Sequence, residues 1–438
     1  MNNLELALQF FLQLAVILSF CRMMGAIAIR LGQPQVVAEM VAGVMLGPSL
    51  FGVLWIEGQQ ALFPWDATQT TRDTQSYLYP LSQLGLALYM FVVGMEFRID
   101  IIRRNVKACV AVSLAGMIVP FTLGAGLAWL LFHHTNLFPV KTGINEAMLF
   151  LGASMCITAF PMLARIIHFK KLTGTNLGTI ALGAGAIDDI TAWSLLAVIL
   201  AIIEDDPNRA IWNIAGGIVM VMIAVLLVRP ILLRLERHLI AAVSPIPAQV
   251  RPASDHEFAL TETGHVVSVV LMLLGAWFTD YLGLHAVFGA FVIGAVMPRG
   301  VVTRDLIARI QPLTIGLLLP LFFTYSGLHT QIGLLDSAML WGVCGVVLLA
   351  AVLGKGGACW LAARWAGLRN REAFGVGLLM NVRGMMELII INIGLQRGLI
   401  SEELFAILVI MAIVTTLMAA PIFDRLKIGK QESASSTT

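Results

Sequence analysis

Long apolar runs separated by short polar stretches repeat along the whole chain. Most runs have about 20 residues, the length that an α-helix needs to cross a hydrocarbon core of ~30 Å. A backbone in lipid must satisfy its own hydrogen bonds, so these runs indicate membrane helices rather than isolated strands. The pattern predicts an all-α polytopic membrane protein with thirteen spans, at 5–26, 35–54, 78–97, 107–133, 146–167, 175–203, 209–234, 258–281, 284–298, 309–329, 337–363, 372–396 and 401–424.

The composition agrees with this pattern. Hydrophobic residues make up 58% of the 438 residues and charged residues only 12%, whereas an ordinary soluble domain has about 25% charged residues. The net charge of +2 provides no basic surface for nucleic acid. The cysteines are scattered without metal-ligand spacing, which predicts buried thiols. We therefore expect no nucleic-acid partner and no cofactor, and we expect membrane lipid to be among the partners of the chain.

Positive charges are distributed unevenly between the predicted loops. Cytoplasmic loops of membrane proteins carry the excess of Lys and Arg, and here most of these residues fall on one side. The loops on the other side contain only Arg72, Lys141, Arg209 and Arg397. This asymmetry predicts an N-terminus outside and a cytoplasmic C-terminus. The start of the chain has no positive n-region or cleavage site, so the first span is predicted to be retained.

Three local similarities, in the same order, indicate that the two halves of the chain are related. An odd number of spans in each copy would invert the second copy, as in many transporters. The similar pairs are Ala38–Pro48 with Ala286–Pro298, Leu88–Phe97 with Pro320–Thr330, and Leu151–Pro161 with Val376–Glu387. We predict one membrane transporter domain over 1–425, with inverted repeats at about 35–203 and 284–424, a linker at 235–257 and a disordered cytoplasmic tail at 426–438.

Two adjacent aspartates lie near the middle of the sixth span, GTIALGAGAIDDITAWSLLAVILA. A charged side chain at the centre of a membrane helix costs roughly 2.5–3.5 kcal/mol on insertion scales. Neighbouring helical residues point about 100° apart, so one carboxyl group can face water while the other faces a helix. Asp188 and Asp189 can simply be buried and neutral, or cap a kink. A proton or cation site is the stronger interpretation.

The eleventh span, LLAAVLGKGGACWLAARW, carries Lys355 among glycines. The side chain can extend along the helix to the inner interface, which is called snorkelling. That interface is marked by Arg364, about 15 Å away along the helix. Pairing of Lys355 with an aspartate of the sixth span is the better explanation.

The twelfth span, GVGLLMNVRGMMELIIINIGL, carries Arg383 and Glu387. If the helix is continuous, their spacing of four residues allows an ion pair along one face. Alternatively, Asn381-Val-Arg-Gly marks a break, where Arg383 would lie against the C-terminal carbonyls of a half-helix. The sequence leaves open whether Lys355 or Arg383 pairs with Asp188.

The fifth span, GASMCITAFPMLARII, contains Ser154, Thr158 and Pro161. These residues predict an unwound stretch whose carbonyl and hydroxyl oxygens can ligate a cation. A simple proline kink is the alternative. Glu39 and His265 are single polar residues of other spans, and we interpret both as structural.

The candidate groups are hard oxygen ligands, which suit an alkali cation better than a transition metal. Burial disfavours the charged form of a carboxyl group, so such a group can hold a proton and release it when a cation takes its place. If the site opens alternately to the two faces, exchange results. We predict that Asp188, Asp189 and Thr158 bind the transported cation or proton, and that Lys355, Arg383 and Glu387 compensate charge.

Five segments of the chain carry a recognisable pattern: SMCITAFPMLARII, GAIDDITAWSLLAVILA, LLPLFFTYSGL, VLGKGGA and LLMNVRGMMELIIINIG. Together they resemble the monovalent cation:proton antiporter family, over about residues 10–425. The branch that they resemble most contains bacterial potassium/sodium–proton exchangers and plant cation/H⁺ exchangers.

The resemblance implies two inverted repeats with discontinuous helices that cross near the ion site, here the fifth and twelfth spans. It also implies a homodimer in which a core domain moves like an elevator. By position, Asp189 would carry the cation and proton, Asp188 would pair with Lys355, and Thr158 would lie on a crossing helix. An Asp-Asp pair resembles electrogenic members, whereas an Asn-Asp pair is typical of electroneutral ones. The choice between Na⁺ and K⁺ does not transfer.

Other classes of membrane protein fit the sequence less well. Intramembrane aspartyl proteases place their two carboxyl groups on different helices with a GxGD signature, whereas the acids here are neighbours. A channel needs no buried lysine partner. A sodium-coupled organic-anion symporter shares the inverted-repeat architecture and is the main alternative. We therefore predict no enzyme but an antiporter that exchanges Na⁺ or K⁺ for H⁺ in a bacterial inner membrane, with a role in pH homeostasis.

Overall fold

The computed structural model describes residues 3–63, 72–96, 105–172, 175–203, 207–242, 258–282, 284, 286–328 and 332–425. The predicted disordered tail at 426–438 and most of the predicted linker, at 243–257, lie outside the described residues. Residues 97–104, which include several of the Lys and Arg residues from which the orientation was predicted, also lie outside the described residues.

Helix occupies each of the first six predicted spans. The second span is interrupted after Leu46, because Gly47 precedes Pro48 and the residue before a proline is pushed out of the α region; Gly47 is indeed extended. The helices are α1 Asn3–Arg30, α2 Gln35–Leu46, α3 Phe51–Leu54, α4 Ile56–Leu62, α5 Arg72–Glu96, α6 Val106–His134, α7 Ile144–Cys156, α8 Phe160–Phe169 and α9 Asn176–Ile203.

The second half of the chain is also mainly helical, with three π-helical turns inside long helices. Its elements are α10 Pro207–Ile223, a π turn Ala224–Val228, α11 Arg229–Leu239, β1 Ile240–Ala242, β2 Phe258–Leu260, α12 Glu262–Tyr281, α13 Ala286–Val296, α14 Val301–Leu313, a π turn Thr314–Leu318, α15 Leu319–Leu328, a 3-10 turn Ile332–Leu334, α16 Ala338–Ala351, a π turn Val352–Gly357, α17 Ala358–Trp365, α18 Asn370–Met380, α19 Met385–Gln396 and α20 Glu402–Arg425.

The short antiparallel ladder of β1 and β2 was not predicted, and it corrects the start of the eighth span. That span was expected from residue 258, but α12 begins at Glu262. Thr261 caps this helix, since its hydroxyl accepts a hydrogen bond from the amide of Gly264 at 3.0 Å. The predicted tenth span, at 309–329, also begins earlier, at Val301. The first turns of this helix carry charged residues, so they are not part of the apolar run from which the span was predicted.

Nine helices among the described residues are long and apolar enough to cross a membrane. They are Leu4–Arg30, Gln35–Leu54, Tyr77–Glu96, Val106–His134, Ala215–Leu235, Glu262–Tyr281, Val301–Leu328, Ala338–Trp365 and Glu402–Arg425. Shorter apolar helices include Ile144–Cys156 and Ala286–Val296. The count of thirteen crossings and the inverted relation of the two halves remain predictions.

The described residues form two compact units. One lies within Met1–Tyr77, Arg98–Asp205 and Phe323–Thr438, and the other within Leu78–Phe97 and Asp206–Phe322. The first unit contains all the predicted site residues. In it, α6 and α7 approach at Gly124 and Gly152: a Cβ atom on Gly124 would lie 2.8 Å from the carbonyl oxygen of Leu151. Any larger residue there would push α7 away from α6. Glycine at this position therefore allows the two helices to pack closely.

Candidate ion-binding site

Two helices of the first unit are broken inside apolar sequence. Helix α7 ends at Cys156 before α8 begins at Phe160, and α18 ends at Met380 before α19 begins at Met385. Pro161 lies in the first turn of α8, where its missing backbone N–H is tolerated. The two breaks touch, because the backbone amide of Ala159 donates a hydrogen bond to the carbonyl of Val382 at 3.3 Å. The fifth and twelfth predicted spans are therefore both discontinuous.

Asp188 lies beside these breaks and accepts hydrogen bonds from three other elements. The Ser113 hydroxyl donates to Oδ1 at 2.6 Å and the Thr158 hydroxyl donates to Oδ2 at 2.7 Å. The Nζ of Lys355 lies 3.2 Å from Oδ2. All four side chains are fully buried, at 0% exposure. Lys355, and not Arg383, thus forms the ion pair with Asp188.

Lys355 reaches this position from the π turn Val352–Gly357. Its ammonium group also donates to the carbonyl of Gly116 at 3.0 Å and to the carbonyl of Cys156, the last residue of α7. Close packing holds the turn in place, since a Cβ atom on Gly377 of α18 would lie 2.4 Å from the carbonyl oxygen of Gly356. A fully buried ammonium with these contacts does not snorkel to an interface.

Arg383 lies in the break between α18 and α19, and it combines both arrangements that the sequence left open. Its guanidinium donates to the carbonyls of Ser154 at 2.8 Å and Met155 at 2.6 Å. It also forms an ion pair with Glu387 at 3.0 Å. The positive charge thus compensates the partial negative charge at the C-terminal end of α7. The Thr416 hydroxyl anchors the break by donating to the backbone carbonyl of Arg383 at 2.7 Å.

The surroundings of Asp189 differ from those of Asp188, the residue before it in α9. Its side chain is 1% exposed, and within the described part of the chain neither carboxyl oxygen has a hydrogen-bond partner. A buried carboxylate without a partner is strongly disfavoured. Of the two adjacent acids, Asp188 has protein partners on both oxygens, whereas both oxygens of Asp189 lack a partner among the described residues.

The polar side chains of Thr158, Ser154 and Glu39, which were also considered from the sequence, make different kinds of contact. The Thr158 hydroxyl also donates to the carbonyl of Met380 at 3.2 Å, so it bridges the two breaks. The Ser154 hydroxyl bonds back to Phe150 in its own helix at 2.9 Å, and only its backbone carbonyl takes part in the site. Glu39 accepts a hydrogen bond from Gln35 at 2.8 Å, one turn away on α2.

Other functional side chains were not singled out in the sequence. Ser113 is one serine in a long apolar helix, where such a residue usually bonds to its own backbone. Nothing in the local pattern indicates that it contacts Asp188, 75 positions further along the chain.

His265 was interpreted as structural from the sequence. Its Nε2 lies 3.5 Å from Oδ2 of Asp305, in the second unit.

The chain is similar to known membrane transport proteins in sequence and in fold. The chain matches the family model described as sodium/hydrogen exchanger, transmembrane, over residues 15–426. It is 36% identical over 408 residues to the Na⁺/H⁺ antiporter NhaS4 of Synechocystis sp., covering 93% of this chain and 94% of that protein. It is 34% identical over 427 residues to cation/H⁺ antiporter 17 of Arabidopsis thaliana, covering 96% of this chain but only 49% of the plant protein.

A solved structure has the same fold. The sodium proton antiporter MjNhaP1 from Methanocaldococcus jannaschii aligns with a TM-score of 0.61 at 14% identity, covering 95% of this chain and 96% of that one. The two sequence relatives are named as antiporters. The extent of the family match and the identity to the Synechocystis relative are decisive: the chain is an integral membrane protein of the sodium/hydrogen exchanger family.

Proposed function

We propose that the protein is a secondary antiporter that exchanges a monovalent cation, Na⁺ or K⁺, for H⁺ by alternating access, with Asp189 as the exchanging group. The observation that carries the proposal is the contrast between the two adjacent acids. Asp188 has an ammonium and two hydroxyl partners, whereas Asp189 has none among the described residues. A proton or an alkali cation can each remove the unfavourable free energy of the bare Asp189 carboxylate.

The neighbouring groups support this division of roles. Asp188 and Thr158 lie 2.7 Å apart, so their oxygens can join Asp189 in ligating a cation of the hard, oxygen-preferring kind. Lys355 balances the charge of Asp188, and the ion pair of Arg383 with Glu387 lies on the adjoining break. In this proposal Asp189 is the group that takes up the proton or the cation in turn, and Asp188 and Thr158 add oxygens to the cation-bound form.

Competition between the two ions tests the proposal directly. In proteoliposomes with an imposed pH gradient and clamped membrane voltage, we titrate Na⁺, K⁺ and Li⁺ separately at several pH values. The half-saturating concentration of the transported cation should rise as pH falls, by up to about tenfold per pH unit where protons occupy the site. Exchange with a half-saturating concentration independent of pH would contradict a shared site.

Ser113→Ala tests whether Asp188 is held by its neighbours. The variant removes one donor to a buried carboxylate, which costs about 1.5–3 kcal/mol, so the apparent melting temperature in detergent should fall. Exchange should become slower but persist, because Asp189 is intact. The matched control is Ser268→Ala, since that buried serine donates to the Gly264 carbonyl of its own helix, at 2.8 Å. Equal melting and equal exchange in the two variants would exclude the role of Ser113.

A further inference from the structure

Asn381 is a buried polar residue that the exchange mechanism has not used. It follows the last residue of α18 and is 2% exposed. In the described structure its carbonyl oxygen, Oδ1, is buried without a hydrogen-bond partner. A buried acceptor without a partner is unfavourable, and binding of a ligand to it removes this cost.

The neighbours of Asn381 link it to Thr158 and Lys355, the side chains that hold Asp188. The carbonyl of the preceding residue, Met380, accepts the hydrogen bond from Thr158, which also donates to Asp188. A Cβ atom on Gly356, next to Lys355, would lie 4.0 Å from the Cβ of Asn381. Helix α9, which carries Asp189, packs against α18, which Asn381 terminates.

Among the described residues, α9 and the second break carry a small number of buried oxygens without a hydrogen-bond partner. They are both carboxyl oxygens of Asp189 in α9, and Oδ1 of Asn381 and one oxygen of Glu387 at the break. The other oxygen of Glu387 is held by Arg383, so a cation near Glu387 would meet a fixed positive charge. Asn381 is neutral and adds an oxygen without adding charge, which suits the ligation of a monovalent ion beside one carboxylate.

We propose that Oδ1 of Asn381 is a ligand of the transported cation and sets the preference among Li⁺, Na⁺ and K⁺. This inference rests on the proposed function, because it requires a cation site at Asp189. Selectivity among alkali ions depends on the number and field strength of the ligating oxygens. An amide carbonyl is a weaker-field ligand than a carboxylate, so Asn381 moderates the preference for small ions that Asp189 alone would impose.

Two substitutions test the ligand role in proteoliposomes. Asn381→Leu keeps the approximate shape but removes the oxygen, and should raise the half-saturating concentration of the preferred cation about tenfold, as for the loss of one good contact. Asn381→Asp keeps size and shape but strengthens the field. It should shift the order of affinities toward Li⁺ and Na⁺ relative to K⁺. Because Asp is nearly isosteric with Asn, this second variant remains informative if the leucine variant does not fold.

Asn392→Leu is the matched control. Its side-chain amide donates to Ser326 at 3.0 Å and to the Leu388 carbonyl at 2.7 Å, so it should leave cation preference unchanged. The ligand role is overturned if both Asn381 variants show the half-saturating concentrations and ion order of Asn392→Leu. Asp189→Asn, assayed in parallel, separates the two failures. Exchange retained in that variant refutes the proposed function, whereas its loss with unaltered selectivity at Asn381 refutes only the ligand role.

Discussion

Asp189→Asn should reduce cation–proton exchange to the rate of protein-free vesicles while leaving the protein folded. The amide has the size of the carboxyl group but does not take up or release a proton, and it has no negative charge to attract a cation. Since the change removes a buried carboxyl group that has no hydrogen-bond partner in the described part of the chain, the apparent melting temperature should stay the same or rise. Fluorescence dequenching in proteoliposomes and thermal unfolding in detergent measure the two effects.

Two other aspartates provide the controls for this result. Asp188→Asn leaves the buried ammonium of Lys355 without its carboxylate, which should lower the melting temperature, so it differs from Asp189→Asn in stability. Asp336→Asn changes an exposed side chain and should preserve both exchange and melting. Full exchange by Asp189→Asn would remove the basis of the proposed mechanism.

Among the variants proposed for this protein, Arg383→Met should produce the largest loss of stability. The substitution leaves the Glu387 carboxylate buried without its partner, and it removes the donors to the carbonyls of Ser154 and Met155. Breaking a buried ion pair from one side costs about 3–5 kcal/mol. We therefore expect low expression and a strongly lowered apparent melting temperature in detergent.

Changing both members of the pair separates this effect from a simple loss of packing. In Arg383→Met combined with Glu387→Leu, no unpaired charge remains, and part of the lost stability should return. The α7 carbonyls still lack their donors, so recovery should be incomplete. If the double variant melts no higher than Arg383→Met, the unpaired Glu387 is not the cause of the destabilisation.

The sequence identifies the acids of the site better than it identifies their partners. Two carboxyl groups in an apolar helix are conspicuous, because each is unfavourable in lipid unless something compensates it. Their different surroundings depend on Ser113 and Lys355, which lie 75 positions before and 167 positions after Asp188. No local pattern specifies such contacts. Lys355 was recognisable as a buried charge, and its pairing with an aspartate of the sixth span was predicted, whereas a lone serine resembles any other small helical residue.

Helix breaks and helix ends were also predictable to different degrees. A charge and a glycine inside Asn381-Val-Arg-Gly indicated the second break. The contact between the two breaks, from Ala159 to Val382, depends on packing that a one-dimensional pattern does not contain. The ladder at 240–242 and 258–260 is too short, and too far apart in the chain, to produce an alternating signal. Apolar length locates spans but not the polar turns that extend them, as at Val301.

The two buried ion pairs have a consequence for movement of the carrier without a bound ion. Each pair, Asp188 with Lys355 and Arg383 with Glu387, cancels its own charge. If Asp189 exchanges one proton for one cation, the centre would have the same total charge with either ion bound and would become negative when empty. Moving this empty, negative centre across a low-dielectric barrier would then be the costly step. Return of the carrier without an ion would be suppressed, and the two ion flows would stay coupled.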